Sequence, residues 1–126
     1  VPITLTIDRA KKLAILKVTG NPSVKEIMGA FEAYYQGQPT RNLLWDFSEG
    51  SVASFSFETI NRAVKQSLAL AREYSETRQP GRTAAVTPKD IDYGIASQYV
   101  ALSIDSPHRF KVCRSMAEAM KWLEGE

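Results

Sequence analysis

The sequence predicts an α/β domain in which one mixed five-stranded sheet is packed by four helices. Three observations lead there. Short segments that are apolar, or that alternate apolar with polar residues, have the pattern of strands. Longer segments carry apolar residues at helical spacing. The two kinds alternate after an opening pair of strands, which predicts parallel strands joined by crossover helices.

The opening predicts a hairpin. Ile3, Leu5 and Ile7 alternate with Thr4, Thr6 and Asp8. Arg9-Ala10-Lys11 connects this strand to a second, Lys12 to Val18, whose more continuous apolar run predicts deeper burial. Gly20-Asn21-Pro22 breaks the chain, and Ser23-Val24-Lys25-Glu26 has the residues of a capping box. Val24, Ile27, Met28, Phe31, Tyr34 and Tyr35 form the apolar stripe of the helix that follows, and Gly37 and Pro39 stop it.

Leu43 to Phe47 predicts a short buried strand. A loop of small and polar residues runs from Ser48 to Ser56. The longest helix is expected from Phe57 to Ser75, with Phe57, Ile60, Val64, Leu68 and Ala71 toward the core. Glu58 and Arg62 make a favourable i,i+4 pair on it. Pro80-Gly81 marks a turn before a strand from Arg82 to Val86. Thr87-Pro88-Lys89-Asp90 predicts a helix start with Thr87 as N-cap and Pro88 at the first helical position. Ile91, Ile95, Tyr99 and Leu102 are the expected buried stripe, and Ser106-Pro107 the end. Arg109 to Cys113 is the last strand. Ser115 to Glu118 predicts a second capping box, opening a helix with Met116, Ala119, Met120 and Leu123 on one face and Trp122 beside them.

Composition bounds the function. The 126 residues suit one domain, and no linker, repeat or low-complexity tract divides them. The net charge is +2, from 16 basic and 14 acidic side chains, so no field draws the chain to nucleic acid. No apolar run reaches the ~20 residues of a membrane span. Val1-Pro2-Ile3-Thr4 lacks the basic and apolar regions of a secretory signal. Cys113 is the single cysteine, and no Cys/His cluster suggests a metal. A reducing cytoplasm is the expected location.

The element order is that of STAS domains, and the sequence resembles the SpoIIAA-like family of small bacterial proteins. The residues that carry the likeness are Leu44-Trp45-Asp46-Phe47-Ser48, then Gly81-Arg82-Thr83-Ala84, Asp92-Tyr93-Gly94-Ile95-Ala96, and finally Arg114, Glu118-Ala119 and Trp122-Leu123. The resemblance implies a STAS-like fold and a non-enzymatic regulatory or protein-binding role, as in the anti-sigma-factor antagonists. Those antagonists carry Asp-Ser-Ser-Gly where the long helix starts, and the second serine is the phosphorylation site. Here the segment is Ser54-Phe55-Ser56-Phe57, with Ser56 at the acceptor position and the preceding serine and following glycine replaced. Ser97 stands where many SpoIIAA-like sequences have arginine.

No nucleophile-and-base pair, phosphate-binding glycine loop or dinucleotide motif appears, so no catalytic residue and no cofactor are assigned. His108 reads as a surface histidine and Cys113 as an inert buried thiol, with Arg114 on the opposite face. Asp90 and Asp92 read as acids serving a helix start. Arg72, Arg78, Arg82 and Lys89 are either separate solvated charges or an anion site at one end of the sheet. The candidate site is the loop after the central strand, with Asp46, Ser48, Ser54 and Ser56 as its binding or regulatory residues; Ser54 or Ser56 as a simple helix cap is the alternative. A protein partner is the leading expectation. A small apolar or lipid-like ligand is the alternative, because SpoIIAA-like domains are grouped structurally with lipid-carrying CRAL-TRIO domains. Phe31, Tyr34, Tyr35, Trp45, Phe55 and Phe57 are the aromatic supply for a pocket. A homodimer is left open.

Overall fold

The computed structural model describes residues 3–37, 39–74 and 81–125. Within them the chain runs β1 (Ile3–Asp8), β2 (Leu13–Gly20), α1 (Val24–Gln36), β3 (Asn42–Gly50), α2 (Phe57–Glu73), β4 (Arg82–Val86), α3 (Asp90–Leu102), β5 (Arg109–Cys113) and α4 (Met116–Leu123). The sheet order is β1-β2-β3-β4-β5. β1 pairs antiparallel to β2, and every later pair is parallel. The expected mixed sheet and its four helices are therefore present.

The topology dictates which helices share a face. Each parallel pair is joined by one helix, and right-handed crossovers along a sheet laid down in sequence order place those helices on one side. Accordingly Ile27, Phe31, Tyr34 and Tyr35 of α1 pack with Leu16, Val18, Trp45 and Phe47, and Ile95 of α3 packs against the same cluster. α4 has no strand to return to. It covers the other face, where Ala119 and Leu123 pack with Leu44, Ala84, Val86 and Cys113. Trp122 packs at the margin of that cluster with the Arg82 guanidinium 5.2 Å over its ring.

Several local expectations hold. Ser23 and Glu26 form the reciprocal capping box, with bonds of 3.1 and 2.9 Å. Glu58 and Arg62 pair at 3.6 Å. β4 and β5 have the predicted bounds. The end of the long helix at Ser75, Pro80 and Arg78 lie outside the described residues.

Other expectations are corrected. Thr87 is not an N-cap: it is fully buried beside β5, its amide donates to Cys113 O at 2.8 Å, and Lys89 takes the cap position without a side-chain bond. Pro88 is accordingly outside α3. The predicted stripe of α3 holds at Ile95, Tyr99 and Leu102, which are partly buried, and fails at Ile91, which is 57% exposed, whereas Asp92 is completely buried. Phe57 does not face the core; at the first position of α2 its side chain is 63% exposed. Met116, at the matching position of α4, is also exposed. The second capping box is half formed. Ser115 accepts from the Glu118 amide at 3.2 Å, but the Glu118 carboxylate receives the amide of Arg114, one residue further back.

Candidate functional site

β3 continues to Gly50, so Ser48 and Glu49 belong to the strand and the connecting loop is 51–56. The extra pairs are Thr19 with Glu49 and Gly20 with Gly50, beyond a register shift at which Phe47 and Ser48 of β3 oppose Val18 of β2. Gly50 permits this approach, because a Cβ there would lie 2.7 Å from Val18 O. Asp46 is buried, and its Oδ1 accepts from the Ser48 amide at 3.0 Å and hydroxyl at 2.5 Å. That pair stabilises the strand end where the register shifts. Ser56 caps α2, accepting from the Thr59 amide at 3.2 Å and meeting the Thr59 hydroxyl at 2.8 Å. Ser54 is exposed in the turn. The four residues chosen from sequence thus form two local motifs and one free turn position.

What organises the loop is Asp92. Its Oδ1 accepts from the Ser51 hydroxyl at 2.8 Å and the Val52 amide at 2.9 Å. Ser51 Oγ in turn accepts from the Ala53 amide, Ser51 N donates to Gly20 O, and Phe55 N donates to Val52 O. Asp92 is the third residue of α3, where the positive end of the helix dipole favours its charge. Its Oδ2 is buried without a hydrogen-bond partner among the described residues. Reading Asp92 as one of two acids at a helix start missed this role. The signal available was its place in the Asp92-Tyr93-Gly94 segment of the family resemblance.

Asp90 is exposed and takes a different partner. Arg114 Nη2 bonds its Oδ1 at 2.8 Å while the guanidinium lies 4.2 Å over the Tyr93 ring. Arg114 therefore ties the start of α4 to the start of α3, and Cys113 points to the opposite side, into the α4 cluster. Burial pushes the Cys113 thiol up to about 11, which keeps it protonated and unreactive near neutrality.

One sequence reading is overturned here, and one that was left open is narrowed to separate charges. His108 is buried, and its Nδ1 accepts the Gly81 amide at 3.2 Å, so it is a structural acceptor at the start of β4 rather than a surface histidine. Of the basic residues proposed to gather, Arg82 opens β4 and Lys89 lies past its other end, so the strand itself separates them. Arg72 is in the last turn of α2. No metal-holding group of acids, histidines or cysteines occurs among the described residues.

Beneath the loop lies an apolar cavity of about 100 Å³. α2 is held mainly by its neighbours α1 and α3. Its sheet-facing side is short at the cavity: Ala63 is buried there, and Thr83 and Ala85 face it from β4. Small side chains on both walls leave the space. Phe31, Trp45 and Phe55 of the expected aromatics line it, with Phe47, Tyr99 and Phe110. Tyr34 and Tyr35 are plain core instead; the Tyr34 hydroxyl donates to Thr40 O at 2.7 Å and Tyr35 stacks on Tyr74. The Tyr99 hydroxyl bonds Ser67 at 2.5 Å, and burial pushes it up to about 12, so it stays neutral.

No protein-family model and no curated protein matches the chain. Among solved structures, the anti-sigma factor antagonist SpoIIAA in its unphosphorylated form superposes with a TM-score of 0.53. The match covers 98% of this chain and 99% of that one, at 15% identity. The chain has the SpoIIAA fold. At that identity the likeness concerns architecture, and the SpoIIAA-like fold is shared from β1 to α4. No helix among the described residues is long and apolar enough to cross a membrane.

Proposed function

We propose that this chain is a non-catalytic regulatory module that binds a protein partner through the rim at the carboxyl end of its parallel strands. One observation carries the reading. Three of the five large apolar side chains exposed among the described residues, Phe57, Ile91 and Met116, stand in the first turns of α2, α3 and α4, at the carboxyl end of the parallel strands. Exposed apolar side chains gathered on one rim mark an interaction surface better than scattered ones. The SpoIIAA fold agrees with this, since an antagonist of an anti-sigma factor acts on another protein. Ser56 lies on the same rim at the start of α2, where a phosphate would meet the favourable end of the helix dipole and change the face a partner meets.

The test pairs Phe57→Ser with Ile91→Ser. Both side chains are mostly in water, so each variant should melt within about 0.5 kcal/mol of the parent. Partner retention on the immobilised protein should fall at least about tenfold, the scale of one lost apolar anchor. Ser56→Ala and Ser56→Asp should then bind that partner unequally while differing in stability by no more than ~1 kcal/mol. Retention unchanged by all four variants overturns the reading.

The cavity favours a second reading, a carrier or sensor of a small apolar ligand. An apolar cavity of ~150 Å³ accepts benzene, so this one suits a single ring or a short alkyl group. Ala85→Val would fill part of it from the strand. It should stabilise the fold by about 0.5–1 kcal/mol and weaken benzene binding followed by NMR titration. A parent protein that shows no benzene-dependent shift at the cavity removes this reading.

A further inference from the structure

The two edges of the sheet are built differently. β5 exposes Arg109 and Lys111 along its length, the charged guard that keeps an edge strand from pairing with another chain. Among its described residues β1 carries a single charge, Asp8 at its exposed end. Its register with β2 is unbroken from Ile3↔Val18 to Asp8↔Leu13, and Ile3-Thr4-Leu5-Thr6-Ile7 holds no charge and no proline. Thr4 and Thr6 are exposed, and Leu5 is left 40% exposed although it lies on the face that α1 covers.

We propose that β1 is a self-association edge, at which two copies of this chain pair their β1 strands antiparallel about a two-fold axis at Leu5 and join their sheets into one. The occupant is a second copy because Ile3–Ile7, five of the six residues of β1, is a palindrome. Centred on Leu5, antiparallel pairing sets Ile3 against Ile7 of the second copy, Thr4 against its Thr6, and Leu5 against its Leu5. These like-with-like β-branched and aliphatic contacts are favourable cross-strand pairs. The backbone agrees. Alternate residues of an edge strand turn their N–H and C=O groups outward, and this register joins only residues of like parity, so outward groups meet outward groups. The two-fold axis also keeps the odd-numbered, apolar side chains of both copies on one face, beside both α1 helices. On α1, Tyr35 faces α2 through its stack on Tyr74, and helical spacing sets Ala30, packed against the core, and exposed Ala33 on one line with Glu26, away from that stack. A strand edge with one helix flank is a small interface of the transient class, so the pairing is concentration-dependent.

Disulfide trapping tests both the pairing and its register. Directly opposed residues of an antiparallel pair have Cα atoms about 4.5–5.5 Å apart, inside the range a disulfide spans. Cys113 is buried and does not compete. Leu5→Cys should oxidise to a covalent dimer, as should an equimolar mixture of Thr4→Cys and Thr6→Cys. Thr4→Cys alone and Lys65→Cys, exposed on α2, should not. By sedimentation, Leu5→Lys should raise the dimer dissociation constant of the otherwise unaltered chain at least about tenfold while its circular dichroism stays that of the parent. A Leu5→Cys chain that remains monomeric, or one that dimerises no faster than Lys65→Cys, overturns the proposal. So does protection of the outward β1 amides only when an extended peptide is added, which assigns the edge to a strand from another protein.

Discussion

Asp92→Ala is expected to cost about 3 kcal/mol and to release the 51–56 loop. Two hydrogen bonds end on its Oδ1, and hydrogen bonds to a charged group are worth about 1.5–3 kcal/mol. Removing the carboxylate also leaves the buried Val52 amide and the Ser51 hydroxyl without their acceptor. A domain with ~5–15 kcal/mol of total stability registers such a loss clearly. The effect should be local before it is global: amide exchange at Val52 and Phe55 should accelerate more than exchange in β2 or β3. Asp92→Asn keeps the Oδ1 acceptor and places an NH₂ where Oδ2 has no partner, so it should fall between the two. Partner binding at Phe57 should weaken with the loop, because Ser56 and Phe57 continue directly from it. Urea melts of Asp92→Ala that superimpose on the parent would show that the loop holds its shape unaided.

Gly81→Ala should be at least as damaging, about 3–4 kcal/mol or failure to fold. A Cβ on Gly81 would lie 1.8 Å from Arg41 O and 2.8 Å from Arg41 C, both backbone atoms that no rotamer change relieves. The strand ends around it are also bonded. Gly81 O accepts from the Arg109 amide at 2.9 Å, its own amide donates to His108 Nδ1, and the next amide, of Arg82, donates to Asn42 Oδ1 at 3.1 Å. Moving Gly81 away from β3 therefore breaks the start of β4 on both sides. Its role is space and not an unusual backbone angle. The measurement is the thermal melt of the soluble fraction, and a parent-like melting temperature would contradict the contact.

Most of the architecture was legible because it depends on short-range pattern. Ser23 and Glu26 lie within one turn and find each other without help from the rest of the chain. The apolar run through β2 foretold a strand with neighbours on both sides. Alternation of strand and helix foretold parallel pairing. The resemblance carried by Trp45-Asp46, Asp92-Tyr93-Gly94 and Trp122-Leu123 pointed to the fold that the superposition on SpoIIAA shows.

The site was less legible, and the failures share a cause. Asp92, His108 and Thr87 look like surface residues by type, yet each is buried because a distant segment supplies its partner: the 51–56 loop, Gly81 and β5. Phe57 and Ile91 look like core by type, yet stand at helix starts where the chain has just left the sheet and no layer covers them. The cavity is invisible in sequence because it arises from small residues on α2 and β4 that meet only in three dimensions.

By itself, then, the sequence determined the element order, the antiparallel opening, the helix cap at Ser23, and the inert single thiol. These follow from neighbours within a few residues or from periodicity along one segment. Only the tertiary structure decided that Asp92 holds the loop, that Gly81 must be glycine, which apolar side chains remain outside, and that β1 stands at the edge of the sheet. Each of those depends on which segments become neighbours across the sheet, and on the space and hydrogen-bond partners they leave one another.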